Sequence, residues 1–175
     1  MKKNKKVLIT GITGQDGIFL SKELVENDNY EIIGLSRKNN LNSFNKKLKT
    51  LKFDLNKFQN IKIINIDLTE KSEVKKLIKD NKFDFVYNLS GPSSVYESIK
   101  NPQKSKMEIS LIFNNLIDSF VDENYFPNFF QASSSEMFNE EPTEKITEEI
   151  RLSPTSPYGK AKAEIHEYIG SIRNK

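Results

Sequence analysis

Val7-Leu8-Ile9-Thr10-Gly11-Ile12-Thr13-Gly14-Gln15-Asp16-Gly17 decides the fold. The largely apolar run at 7–10 reads as a buried strand. It breaks into Gly11, Gly14 and Gly17, spaced three apart. An amphipathic segment follows, with Ile18, Leu20, Leu24 and Val25 toward one side. Strand, glycine-rich turn and helix form the context in which such glycines point to a nucleotide. One glycine permits the tight turn, one lets the backbone approach a pyrophosphate, and one lets helix and strand pack closely. The helix N-terminus then offers its N–H groups to the phosphates. An ordinary strand-to-helix turn is the simpler alternative, and three glycines within seven residues argue against it. The whole turn, Gly11, Ile12, Thr13, Gly14, Gln15, Asp16 and Gly17, is therefore the expected cofactor cradle.

Outward from this unit, strand and helix patterns alternate. That predicts an α/β, Rossmann-like, doubly wound parallel sheet with helices on both faces. Residues 31–36, 61–66, 83–89 and 128–133 read as further strands, and 70–80, 102–124 and 156–174 as helices. Pro157 opens the last helix at a favoured first-turn position. The stretches 37–60 and 139–155 read as long irregular connections. Ligands of such sheets bind beyond the carboxyl ends of the strands. The glycine turn, the long connections and the segments 89–94 and 133–136 are expected on that edge.

A chain of 175 residues suits one domain, expected as a single nucleotide-binding unit over 1–175. Its 27 Lys and Arg against 24 Asp and Glu leave a formal charge of +3, too mild to argue for a nucleic-acid partner. Without cysteine there is neither a disulfide framework nor a thiol nucleophile. The N-terminus lacks the apolar core of a signal peptide, and no run approaches the roughly 20 apolar residues of a membrane span. A cytoplasmic protein with no membrane partner is expected. His166 is the one histidine, with no second ligand near it in sequence, so no metal is expected. Phe126, Phe129 and Phe130 are read as core.

Several positions could carry chemistry. Strand two runs into Ser36-Arg37-Lys38-Asn39-Asn40. A guanidinium there suits a ribose 2′-phosphate, which favours NADP over NAD; the simpler alternative is that Arg37 merely opens a solvated basic loop. Asp67-Leu68 follows strand three and serves as readily to cap a helix. After strand four, Leu89, Ser90, Gly91, Pro92 and Ser93 include small residues that let a cofactor lie against the backbone. Tyr158 and Lys162 stand four apart at the start of the last helix and project from one face. An ammonium beside a phenol favours the phenolate, which would make Tyr158 a general base; the same spacing is common on amphipathic helices, and it is the glycine turn and the serine-rich strand end upstream that favour the catalytic reading. Ser134 and Glu136 end a serine-rich strand, read otherwise as a polar strand end and a helix cap.

The turn GITGQDG resembles the extended, sugar-nucleotide branch of the short-chain dehydrogenase/reductases. Together with the basic loop, SFNKK at 43–47, YNLSGPSSV at 87–95, QASSSEMF at 131–138 and SPYGKAK at 156–162, it resembles the GDP-mannose 4,6-dehydratase family. That resemblance implies bound NADP, GDP-mannose as substrate and a 4-keto-6-deoxy product. Tyr158 would take the proton of the sugar 4-hydroxyl, Ser134 would bond the C4 oxygen, and Glu136 would remove the C5 proton as water leaves from C6. Lys162 would hold the ribose and tune Tyr158, and Asp67 would bond the adenine amino group. The family motif YNLAAQSHV has Gln where Pro92 stands and His where Ser94 stands, A-S-T-S-E has Thr for Ser134, and an aromatic is usual near Lys104.

Members of the family continue for about as long again. The chain is accordingly expected to match their amino-terminal half, as a fragment, an interrupted gene or one part of a split enzyme, and to be inactive alone. Homo-oligomers are expected through the helices at 102–124 and 156–174, or else pairing with a complementing carboxyl-terminal chain. Two alternatives stand beside the dehydratase: another nucleotide-sugar epimerase, which would need no Glu136, and a non-catalytic NADP-binding or dimerisation module.

Overall fold

The computed structural model describes residues 4–27, 29–37, 41–138, 145–147 and 149–173. The chain divides into two compact units, Met1–Ser90 with Asn115–Gln131 and Gly91–Asn114 with Ala132–Lys175, each considered by itself.

The first unit holds the sheet. Its strands are β1 (Lys5–Thr10), β2 (Tyr30–Ser36), β3 (Lys62–Asn65), β4 (Phe85–Asn88) and β5 (Asn128–Gln131), in the order β3-β2-β1-β4-β5. Every pairing is parallel. Val7, Leu8 and Ile9 are fully buried, which is why β1 reads as an unbroken apolar run rather than an alternation. The order reverses between β1 and β4, and at that reversal doubly wound sheets bind their ligands.

Strands β3, β4 and β5 are shorter than the expected six- or seven-residue runs. After β4 the reason is local: the N–H groups of Leu89 and Ser90 go to Thr10 Oγ1, at 3.0 and 3.1 Å, instead of to a strand partner.

Helix α1 (Gln15–Val25) follows the glycine turn with Ile18 buried and Leu20, Leu24 and Val25 half-buried against the same core. The stretch expected to be irregular contains a helix, α2 (Leu41–Thr50), and a 3-10 turn at Leu55–Phe58. Phe44 and Leu48, four apart, are buried with Ile12, Ile18 and Phe58. The lysines and asparagines around them hide that spacing. Helix α3 (Lys71–Asp80) lies where expected, with Glu70 at its N-cap.

Phe129 packs on Phe120 at 6.1 Å, but Phe126 and Phe130 are 63% and 51% exposed, contrary to the core expectation. Strand alternation sends Phe130 to the opposite face from Phe129, where it meets Tyr87 at 5.8 Å.

The second unit contains α4 (Val95–Lys100), which the sequence reading did not anticipate, the first part of α5 (Pro102–Asp122), a 3-10 turn at Ser135–Met137 and α6 (Pro157–Ile172). Short as it is, α4 has its own cap: Ser94 Oγ accepts from Glu97 N at 3.1 Å. Among the described residues, no helix is long and apolar enough to cross a membrane.

Candidate active site

In the first unit the three glycines differ in what they permit. Gly11 has φ +67°, and a Cβ there would lie 3.0 Å from Leu89 O. It supplies both the left-handed turn and the close passage of the β1 and β4 ends. At Gly17 a Cβ would come within 2.6 Å of Gly11 O and Ile12 Cα, so only glycine lets α1 pack onto the turn. Gly14 is the N-cap of α1 and offers no side chain to the first-turn N–H groups. Those groups are the ones a helix start leaves for an anion. Thr13, Gln15 and Asp16 complete the turn.

The carboxyl ends of the neighbouring strands are also in this unit. Arg37 follows β2, whereas Lys38, Asn39 and Asn40 lie outside the described residues. Asp67 is not the cap of α3. Its Oδ1 accepts from Thr69 N at 2.9 Å and Thr69 Oγ1 at 2.8 Å. The Thr69 N–H, then its hydroxyl, and then the Arg37 charge hold the Asp67 carboxyl below the usual range. Asn115, buried on α5, fixes this loop by donating from Nδ2 to Leu68 O at 2.9 Å and Thr69 O at 3.1 Å. The sequence reading missed Asn115, since its partners lie 46 and 47 positions away.

A hydrogen-bond chain crosses the ends of three strands. Thr10 Oγ1 donates to Asn88 Oδ1 at 2.7 Å, and Asn88 Nδ2 donates to Gln131 Oε1 at 2.7 Å. Ser90 Oγ also donates to Asn88 Oδ1, at 3.1 Å. Leu89 and Ser90 thus leave the sheet in a fixed direction.

The second unit gathers the other candidates. Gly91 opens it with φ +125°; Pro92 is half-buried and Ser93 exposed. Tyr158 and Lys162 lie one turn apart on α6, 8% and 7% exposed. Lys162 Nζ is 5.8 Å from the Tyr158 ring centroid and donates to Ala132 O at 2.8 Å. Burial pushes the Lys162 ammonium below its ordinary pKa of 10.5. Tyr158 N donates to Ser98 Oγ at 3.3 Å, and Ser98 Oγ donates to Val95 O at 2.7 Å, so α4 sets the start of α6.

Glu136 belongs to the same group. Its Oε2 accepts from Ser156 Oγ at 3.2 Å, while Ser156 Oγ caps α6 by accepting from Gly159 N at 3.0 Å. Ser134 Oγ accepts from Glu136 N at 3.2 Å and caps the 3-10 turn. The Glu136 carboxylate is thus tied to the cap of the helix that carries Tyr158 and Lys162, and the Lys162 ammonium to Ala132 at the end of the preceding segment. Ser98, Ser156 and Gly159 are the members that sequence alone did not single out. His166 has a partner here, Ser133 Oγ, at 3.1 Å from its Nδ1.

A family model described as GDP-mannose 4,6 dehydratase matches residues 8–175. GDP-mannose 4,6 dehydratase 1 of Arabidopsis thaliana is 31% identical over 180 residues, which is 99% of this chain and 49% of the relative. The GDP-mannose 4,6-dehydratase of Vibrio cholerae serotype O1 is 33% identical over 162 residues, 91% of this chain and 43% of the relative. The chain thus spans about half the length of the curated relatives it matches. Among solved structures, the UDP-Glc/GlcNAc 4-epimerase of Campylobacter jejuni has a TM-score of 0.82 and 25% identity, over 96% of this chain and 49% of that one.

Proposed function

The chain belongs to the GDP-mannose 4,6-dehydratase family, and we propose that it carries the dinucleotide-binding and proton-transfer parts of an enzyme that converts GDP-mannose to GDP-4-keto-6-deoxymannose. The observation that carries the reading is the Tyr158–Lys162 pair, buried one turn apart on a helix whose cap, Ser156, also bonds the Glu136 carboxylate.

In this reading Gly11 to Gly17 and the start of α1 take the cofactor phosphates. Arg37 meets the 2′-phosphate of NADP, Asp67 the adenine amino group, and Leu89, Ser90, Gly91, Pro92 and Ser93 the nicotinamide half. When bound, NADP supplies a reversible hydride acceptor. Tyr158 removes the proton of the sugar 4-hydroxyl, and Lys162, one turn along α6, holds the ribose. Ser134 donates a hydrogen bond to the C4 oxygen. With C4 at the ketone level the C5 proton becomes acidic; Glu136 takes it, the C6 hydroxyl leaves with a proton as water, and the hydride accepted from C4 would return to C6 with a proton to C5, so that no net oxidant is consumed.

The relatives are about twice as long as this chain, so the proposed turnover is assigned to the assembled enzyme. The remaining length supplies most contacts to the nucleotide sugar. Assembly proceeds through the helices at 102–124 and 156–174, or with a complementing carboxyl-terminal chain, and the setting is the cytoplasm.

The test is solvent deuterium incorporation at C5 of GDP-mannose, with the chain completed by the remaining half of a relative. Glu136→Gln should cut incorporation about 100-fold or more while NADP remains bound. An epimerase would be indifferent to that change, and undiminished C5 exchange would overturn the dehydratase reading.

A further inference from the structure

We propose that Lys47 is a second cation for the ribose 2′-phosphate, so that preference for NADP over NAD rests on helix α2 as well as on Arg37. This deepens the dinucleotide reading above and rests on it. Lys47 Nζ donates to Thr13 O, inside the glycine turn, at 2.6 Å. The core sets that meeting. Phe44 and Leu48 of α2 share a buried cluster with Ile12, so the helix is docked under the turn whether or not Lys47 is present.

Thr13 lies between Ile12 and Gly14, the N-cap of α1, and the Ile12 side bears on which phosphate is met. Ile12 N donates to Leu35 O at 3.3 Å, which lays this part of the turn against the carboxyl end of β2. In dinucleotide-binding sheets the adenosine ribose lies at that strand end, whereas the pyrophosphate lies at the start of the first helix. An ammonium has three donors, and Thr13 takes one through a neutral carbonyl. Lys47 is exposed, so an arriving phosphate can reach it and form the stronger, charge-assisted bond.

The experiment is calorimetric titration of the full chain with NADP, NAD, adenosine 2′,5′-bisphosphate and 5′-AMP. Lys47→Gln should weaken NADP and the bisphosphate about tenfold and leave NAD and 5′-AMP within about twofold. Lys47→Arg should keep the preference. Equal weakening of NADP and NAD would make Lys47 a brace of the turn and overturn the assignment, as would an unchanged affinity for NADP. If the unaltered chain binds both dinucleotides equally, the Lys47 assignment fails and dinucleotide binding stands. If it binds neither, the dinucleotide reading itself fails.

Discussion

The backbone of Gly159 lies against the carbonyl oxygen of Glu136, with no room for a Cβ between them. Replacing a helical glycine by alanine ordinarily stabilises by about 1 kcal/mol. Here Gly159→Ala should instead destabilise by about 1–3 kcal/mol, because α6 must move off the Ser135–Met137 turn. Urea unfolding decides it: a midpoint equal to or above that of the parent would mean helix and turn are not packed in this way.

Ser156 does two jobs with one oxygen, capping α6 and donating to Glu136. Ser156→Ala should cost about 1 kcal/mol of stability through the cap alone. Aspartate caps helices as well as serine in general. At this site it would face the Glu136 carboxylate, so Ser156→Asp should be no more stable than Ser156→Ala at neutral pH. Melting temperatures of the three proteins, compared at low and high salt, report the repulsion.

Lys162 gives stability a particular pH dependence. Burial lowers its pKa in the fold from 10.5, so between the two values the unfolded chain binds more protons. Stability should therefore rise as pH increases from the lowered value toward 10.5. Lys162→Met keeps much of the stem and removes the charge. The difference in unfolding free energy between parent and variant should shift in favour of the parent over that window, and a flat difference would contradict the sign.

Gly11 and Gly17 should fail for separate reasons. Gly11→Ala imposes a side chain at φ +67°, a cost of about 1–2 kcal/mol, and presses on Leu89. Gly17→Ala presses on the turn itself, within 2.6 Å of Gly11 O. Both should lose measurable dinucleotide affinity in calorimetry, and Gly17→Ala should also lower the melting temperature. Wild-type affinity in either variant would speak against the turn as the cradle.

Much of this was legible because it is local. An apolar run into spaced glycines announces β1, the turn and α1, and the same alternation gives the parallel sheet. Tyr158 and Lys162 are four apart, so their shared face follows from helix geometry. What stayed hidden depends on partners far along the chain. Tyr158 N and Ser98 Oγ are 60 positions apart, Lys47 and Thr13 are 34 apart, and Glu136 and Ser156 are 20 apart. Helix α2 was missed for another reason: Phe44 and Leu48 carry its burial among lysines and asparagines that read as loop. The short α4 fell below the length at which a period can be counted. The exposed Phe130 shows that aromatic character alone does not assign a strand face, and Phe126 lies before β5 altogether.

The chain of bonds from Thr10 to Gln131 has a direction. Thr10 Oγ1 already accepts from two backbone N–H groups, so its one proton points at Asn88 Oδ1. That fixes which way the Asn88 amide is turned, and its nitrogen then addresses Gln131. A valine at position 10 would match threonine in outline yet leave the amide protons of Leu89 and Ser90 with no acceptor there. The exit of the fourth strand would come loose at the point where the fold changes hands, and a single missing oxygen atom would be the cause.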